Sequence, residues 1–272
     1  MGALDHYLDD RLAQGRAYFS REEGVAALGL SQQAFMAATA RLARKQRLVS
    51  PRRGFYLILR PEDRAAGAPD PVRWIDPLMR YLEIDYRISL LRAAAFHGAS
   101  HQAAMVFQVV AARQLRKLEI GRHRIQFIYQ APASFAHVNR PDWLDQIKSE
   151  AGFAKVAGVE LTLLDAARYF HAAAGIHGVA QMVKDLGGQA DPRKLTKAAA
   201  HYENASVRRL GYLLDLAGHV RQADALAAFA RQAKSMKPLD PSVRPLLPEL
   251  AVPHEKNTRW KLVVDEAIEV DF

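Results

Sequence analysis

The chain has 272 residues, half of them apolar and a quarter charged, and no cysteine. That length suits two modest domains, while the missing thiols exclude a disulfide framework, Cys-ligated zinc and a cysteine nucleophile. The 38 basic against 29 acidic residues give a net charge of +9, which acquires meaning only from where it sits.

Leu4, Leu8 and Leu12 recur at i, i+4, i+8 and predict a first helix. Asp5, Asp9 and Asp10 stand in the same stretch, where an export signal would carry positive charge and an apolar core. With no apolar run near the roughly 18 residues of a spanning helix, a cytoplasmic location is expected. Ser20-Arg21-Glu22-Glu23 has the form of a capping box and predicts a short second helix that ends at Gly29. Ser31 is a good cap for a third, in which Phe35, Ala38 and Leu42 form the apolar stripe. Leu48-Val49-Ser50, Pro51-Arg52-Arg53-Gly54 and Phe55-Tyr56-Leu57-Ile58-Leu59 then read as strand, turn and strand.

Three helices followed by a β-hairpin predict a winged helix-turn-helix over residues 1–62. Its charge supports duplex DNA as the partner: between Glu23 and Glu62 stand seven basic residues and no acid. In such a fold the third helix enters the major groove, so Gln32 and Gln33 are candidate base readers. Arg41, Arg44 and Lys45, along the helix, and Arg52 and Arg53, at the hairpin tip, are candidate phosphate contacts. A protein-interaction module is the plainer alternative.

Residues 63–73, rich in Pro, Gly and Ala, are expected to form a linker, and residues 74–272 a larger domain. There helices are expected at Trp74–Tyr81 and Ile88–His97, and strands at Met105–Val110 and Arg124–Tyr129. Between the strands lies a second basic stretch, Arg113, Arg116, Lys117, Arg122 and Arg124 against Glu119, which reads equally as a polyanion or acidic-partner site and as a protected edge strand. Alanine-rich amphipathic helices follow at Glu160–Ala173, Val179–Leu186, Arg193–His201, Val207–Leu216 and Arg221–Ala230. Five prolines between Pro238 and Pro253 predict an extended segment, and Arg259–Phe272 is strand-like. The fold class expected is therefore α+β and mostly helical, a winged helix followed by a larger domain with a small sheet and a helical bundle.

Catalytic patterns are weak. Ser89, His97 and Asp165 hold the residue types of a triad without a Gly-x-Ser-x-Gly elbow. His97 and His101 have metal-ligand spacing without a third ligand, Glu160 and Asp165 fall on different helix faces, and no phosphate-binding glycine loop occurs. No enzyme activity, metal or cofactor is expected.

The hairpin Pro51-Arg52-Arg53-Gly54-Phe55-Tyr56, then Ser89-Leu90-Leu91-Arg92-Ala93-Ala94-Ala95-Phe96-His97-Gly98, Val106-Phe107-Gln108-Val109-Val110, Glu160-Leu161-Thr162-Leu163-Leu164-Asp165, Arg209-Leu210-Gly211-Tyr212-Leu213-Leu214 and Arg259-Trp260-Lys261 together resemble the AbiEi abortive-infection antitoxins of bacterial type IV toxin–antitoxin systems. The resemblance implies a phage-defence protein that represses its own promoter through inverted repeats, bound as a dimer or as cooperative monomers. It also implies a C-terminal domain that neutralises a cognate nucleotidyltransferase toxin, without a lasting complex. The alternative is a winged-helix transcription factor whose second domain senses a ligand or oligomerises.

Overall fold

Helix boundaries in the N-terminal region sit where the local chemistry puts them. Ser20 Oγ accepts from the Glu23 amide at 3.1 Å while the Glu23 carboxylate accepts from the Ser20 amide at 2.7 Å, which satisfies two otherwise orphaned donors. Gly29 ends that helix in the left-handed conformation (φ +60°), and Ser31 caps the next by accepting from the Ala34 amide at 3.2 Å. A computed structural model describes residues 2–99, 106–243 and 254–268. The chain divides into two units: the first comprises residues 1–87, 105–131 and 146–155, the second residues 88–104, 132–145 and 156–272.

The first unit begins with α1 (Ala3–Ala13), β1 (Tyr18–Ser20), α2 (Arg21–Leu28), α3 (Gln32–Arg44), β2 (Leu48–Arg52) and β3 (Phe55–Ile58). The strands form an antiparallel sheet in the order β1-β3-β2. Leu4, Leu8, Phe19, Phe35, Leu42, Leu48, Tyr56 and Ile58 make its core. Phe19 stacks on Tyr56 (centroids 5.3 Å apart) and meets Tyr7 and Phe35 edge-on. Gly24 lets α2 close on α3, because a Cβ there would lie 2.5 Å from the Phe35 ring. The hairpin is tighter than expected: β2 continues through Arg52, which pairs with Phe55, and only Arg53 and Gly54 (φ +86°) make the turn.

Residues 63–73 are held rather than free. The Arg122 amide donates to Ala66 O at 2.7 Å, and Gly67 crosses Gly121 so closely that a Cβ on either would lie 2.8 Å or less from the other strand's backbone. Trp74, with its indole donating to Pro69 O at 2.9 Å, is buried beneath this stretch. The unit continues with α4 (Ile75–Tyr81), β4 (Tyr86–Ile88), β5 (Val106–Ala111), β6 (Leu118–Ile120), β7 (His123–Tyr129), β8 (Leu144–Ser149) and β9 (Gly152–Ala157). These six strands form a mixed sheet in the order β6-β7-β5-β4-β9-β8, with β5 and β7 parallel and β6 antiparallel to β7.

The second unit is mostly helical: α5 (Leu90–Phe96), α6 (Pro132–Val138), α7 (Val159–Arg168), α8 (Gly175–Leu186), α9 (Pro192–Ala199), α10 (Asn204–Leu216) and α11 (Val220–Gln232). The expected helix from Ile88 starts later, since Ile88 ends β4 and Leu90 turns the chain at φ +56°. The helix expected to reach Ala173 ends at Arg168, and a single 3-10 turn follows. A small sheet, β10 (Lys237–Pro238), β12 (Leu262–Val264) and β11 (Glu255–Asn257), completes the unit. Most of the proline-rich segment, residues 244–253, and the last four residues lie outside the described residues. The fold is α+β with small sheets, as expected.

Candidate nucleic-acid interface

Phe35, Thr39 and Leu42 anchor α3 to the core, which turns Gln33, Ala37, Ala40 and Arg44 to the opposite side. Gln32, Gln33, Arg41, Arg44 and Lys45 are all exposed; Gln33 and Arg44 lie opposite the buried stripe, whereas Gln32 and Arg41, nine residues apart, fall on opposite flanks of the helix. Arg53, in the hairpin turn, is exposed as well.

Three other basic residues of the same run are engaged within the unit. Arg47 bridges Asp5 at 3.1 Å and also Asp9, which ties the base of the hairpin to α1. Arg60 pairs with Glu150 at 3.1 Å, and Arg73 joins the same carboxylate at 2.9 Å. Burial pushes the Glu150 carboxyl upward, but hydrogen bonds from Arg60 and Arg73 outweigh it and hold the group below its ordinary range. Arg52 Nη2 donates to the Arg116 carbonyl at 2.7 Å and its guanidinium lies 6.0 Å from the Phe127 ring centre. Arg52 thus fastens the hairpin to the loop that carries the second basic stretch. In that stretch Arg113, Arg116, Lys117, Arg122 and Arg124 are all exposed, and Lys117 lies 3.2 Å from Glu119.

Sequence reasoning missed a groove of about 260 Å³ between α3 and the hairpin, whose lining includes Met36, Ala40, Ala43, Val49 and Tyr56 together with Arg21 and Arg53. The signal available for it was the outward placement of Met36, Ala37, Ala40 and Ala43, which the core periodicity of α3 already implied.

In the second unit the quoted motifs are polar staples inside a helical core. Asp165 of α7 is fully buried and accepts from Ser89 Oγ and the Tyr202 hydroxyl, each at 2.6 Å. His97 does not join them: its Nε2 lies 2.7 Å from Ala157 O. Glu160 accepts from the Asp191 amide at 2.7 Å instead of facing Asp165. Arg209 donates to Leu239 O at 2.7 Å and Ala167 O at 2.8 Å, and burial pulls its guanidinium down to about 10. The Tyr212 hydroxyl donates to Glu255 at 3.1 Å, and burial, with that carboxylate beside it, pushes the phenol up to about 12. His101 lies outside the described residues, among which no cluster of three or more His, Asp or Glu could hold a metal ion. No helix among them is long and apolar enough to cross a membrane.

Residues 87–216, which span the Asp165 staple and all of α10, match the family model described as the AbiEi antitoxin C-terminal domain. That domain defines the class: an antitoxin of a toxin–antitoxin system. The match covers 130 of the 272 residues, and over that stretch the chain is similar to the AbiEi antitoxins. Among solved structures, the RV2827C protein from Mycobacterium tuberculosis shares the fold, with a TM-score of 0.67 at 17% identity over 95% of this chain and 90% of that one. A comparison with curated proteins gave no match.

Proposed function

We propose that the first 62 residues act as a winged helix-turn-helix that binds inverted repeats in the protein's own promoter and represses it, and that the family domain neutralises a cognate nucleotidyltransferase toxin. The observation that carries the DNA half is the open face of α3. It presents Gln33 near its start and Arg44 at its end, with Gln32, Arg41 and Lys45 exposed along its flanks and Arg53 exposed in the adjoining hairpin turn. A helix that enters the major groove N-terminus first places amides at base edges and leaves cations near the backbone. The exposed cations of the second basic stretch are offered as further phosphate contacts, with Arg52 positioning the hairpin beside them.

The antitoxin half rests on the family domain. Its polar staples are internal and complementary, which favours action through the domain's surface rather than through bond-making at Ser89, Asp165 or His97. The test is co-expression of the neighbouring nucleotidyltransferase gene with the full chain, together with a gel-shift titration on the upstream promoter. Restored growth and salt-sensitive promoter binding are expected. Growth arrest despite soluble protein overturns the antitoxin reading, and absence of promoter binding at low salt overturns the repressor reading.

A further inference from the structure

The outward face of α3 is not uniformly polar. Gln33 stands near its start and Arg44 at its end, and between them the exposed positions are Ala34, Met36, Ala37, Ala40, Arg41 and Ala43. Met36 is 45% exposed, yet its sulfur accepts from the Tyr56 hydroxyl at 3.6 Å, which restrains an otherwise flexible side chain. Ala40 and Ala43 continue from it along the groove wall with Val49. A helix face meant for water would carry polar groups at these positions.

We infer that this stripe reads thymine methyl groups in the major groove, with Gln33 placed for the edge of a neighbouring adenine, so that the preferred half-site is rich in A·T pairs. The inference rests on the DNA-binding reading above and specifies what that surface recognises. A one-carbon side chain lets the helix backbone approach base edges closely, and the C5 methyl of thymine is the apolar feature that the major groove offers. The flanks select the same occupant. The stripe lies within a run from residue 24 to residue 61 that has seven basic residues and no acidic one, which suits an apolar strip bordered by phosphates.

The test uses the full chain and duplexes enriched by it from a randomised pool. Single thymines in the enriched duplex are replaced by 2′-deoxyuridine, which removes only the methyl group. One or more positions are expected to lose affinity by about fourfold each, the value of one buried methyl-sized group. The double variant Ala37→Ser, Ala40→Ser, altered at exposed positions only, is expected to lose that sensitivity while keeping salt-dependent binding. Enrichment without any effect of deoxyuridine, or duplex binding without enrichment, overturns the inference and leaves the DNA reading standing. No duplex binding at low salt overturns the DNA reading itself. Self-association in sedimentation that Met36→Lys abolishes, with deoxyuridine again without effect, assigns the stripe to a second copy of the chain and overturns the inference.

Discussion

Gly211 lies directly beneath Trp260: a Cβ added to the glycine would sit 2.1 Å from Cζ3 of an indole that is wholly buried. The indole nitrogen donates to Asp215 at 2.6 Å, one turn further along the same helix. Arg208 reaches the carbonyls of Ser235 and Lys261, both at 3.0 Å. The Arg-Leu-Gly-Tyr run of α10 is thus a seat for residues 255–264.

The first prediction follows from that seat. On helix propensity alone Gly211→Ala would stabilise α10 by about 1 kcal/mol. The clash with Trp260 reverses the sign, and overpacking is expected to cost about 1–3 kcal/mol. A urea titration followed by tryptophan fluorescence checks it, and a higher midpoint than the wild type refutes the seat.

Asp165 supplies the second. Tyr202→Phe removes a hydroxyl that donates to a buried carboxylate at 2.6 Å, at an expected cost of about 1.5–3 kcal/mol. Asp165→Ala withdraws the acceptor from Ser89 and Tyr202 together and is expected to cost more. Thermal unfolding of both variants gives the order, and an Asp165→Ala protein as stable as the wild type contradicts a structural staple.

The third separates two neighbouring arginines. Arg53→Ala, at an exposed turn, is expected to lower the salt slope of promoter binding by about 0.9 without changing stability. Arg52→Ala removes the bond to the Arg116 carbonyl, so a lower melting temperature is expected along with weaker binding. Identical behaviour of the two variants in both assays argues against this division.

A fourth concerns pH. His137 and His201 stack with ring centres 4.8 Å apart and planes 8° from parallel. Burial, then the positive fields of His137 and Arg140, hold the His201 imidazole below its ordinary range. The unfolded chain therefore binds the proton more tightly than the folded one, so stability is full above about pH 6.5. It falls as the pH drops through the folded value. His201→Phe keeps a flat ring and is expected to flatten the decline in urea midpoint between pH 7 and pH 5. An unchanged slope excludes His201 as its source.

The capped helices α2 and α3, the Phe35 and Leu42 stripe and the strands β5 and β7 could all be read from local pattern, because caps and apolar periodicity act within a few residues. Strand β1, only three residues long, and the half-exposed pair β8 and β9 carry too little alternation to be seen. At the candidate interface the residue types were legible but their separate roles were not. Arg52 and Arg53 are adjacent and identical in chemistry, and only the arrival of Arg116 from a distant part of the chain distinguishes them. The run at residues 63–73 reads as a linker for the same reason, since nothing in its composition reveals the glycine of the β6–β7 turn that packs on it.

The chain passes between its two units five times before residue 157. During synthesis the first unit cannot be completed until residue 155 has left the ribosome, and the second waits for the segment that carries Trp260. A premature stop or proteolytic cut between residues 88 and 155 therefore leaves no fragment with either unit whole, and the first unit is complete only once more than half of the molecule has been made.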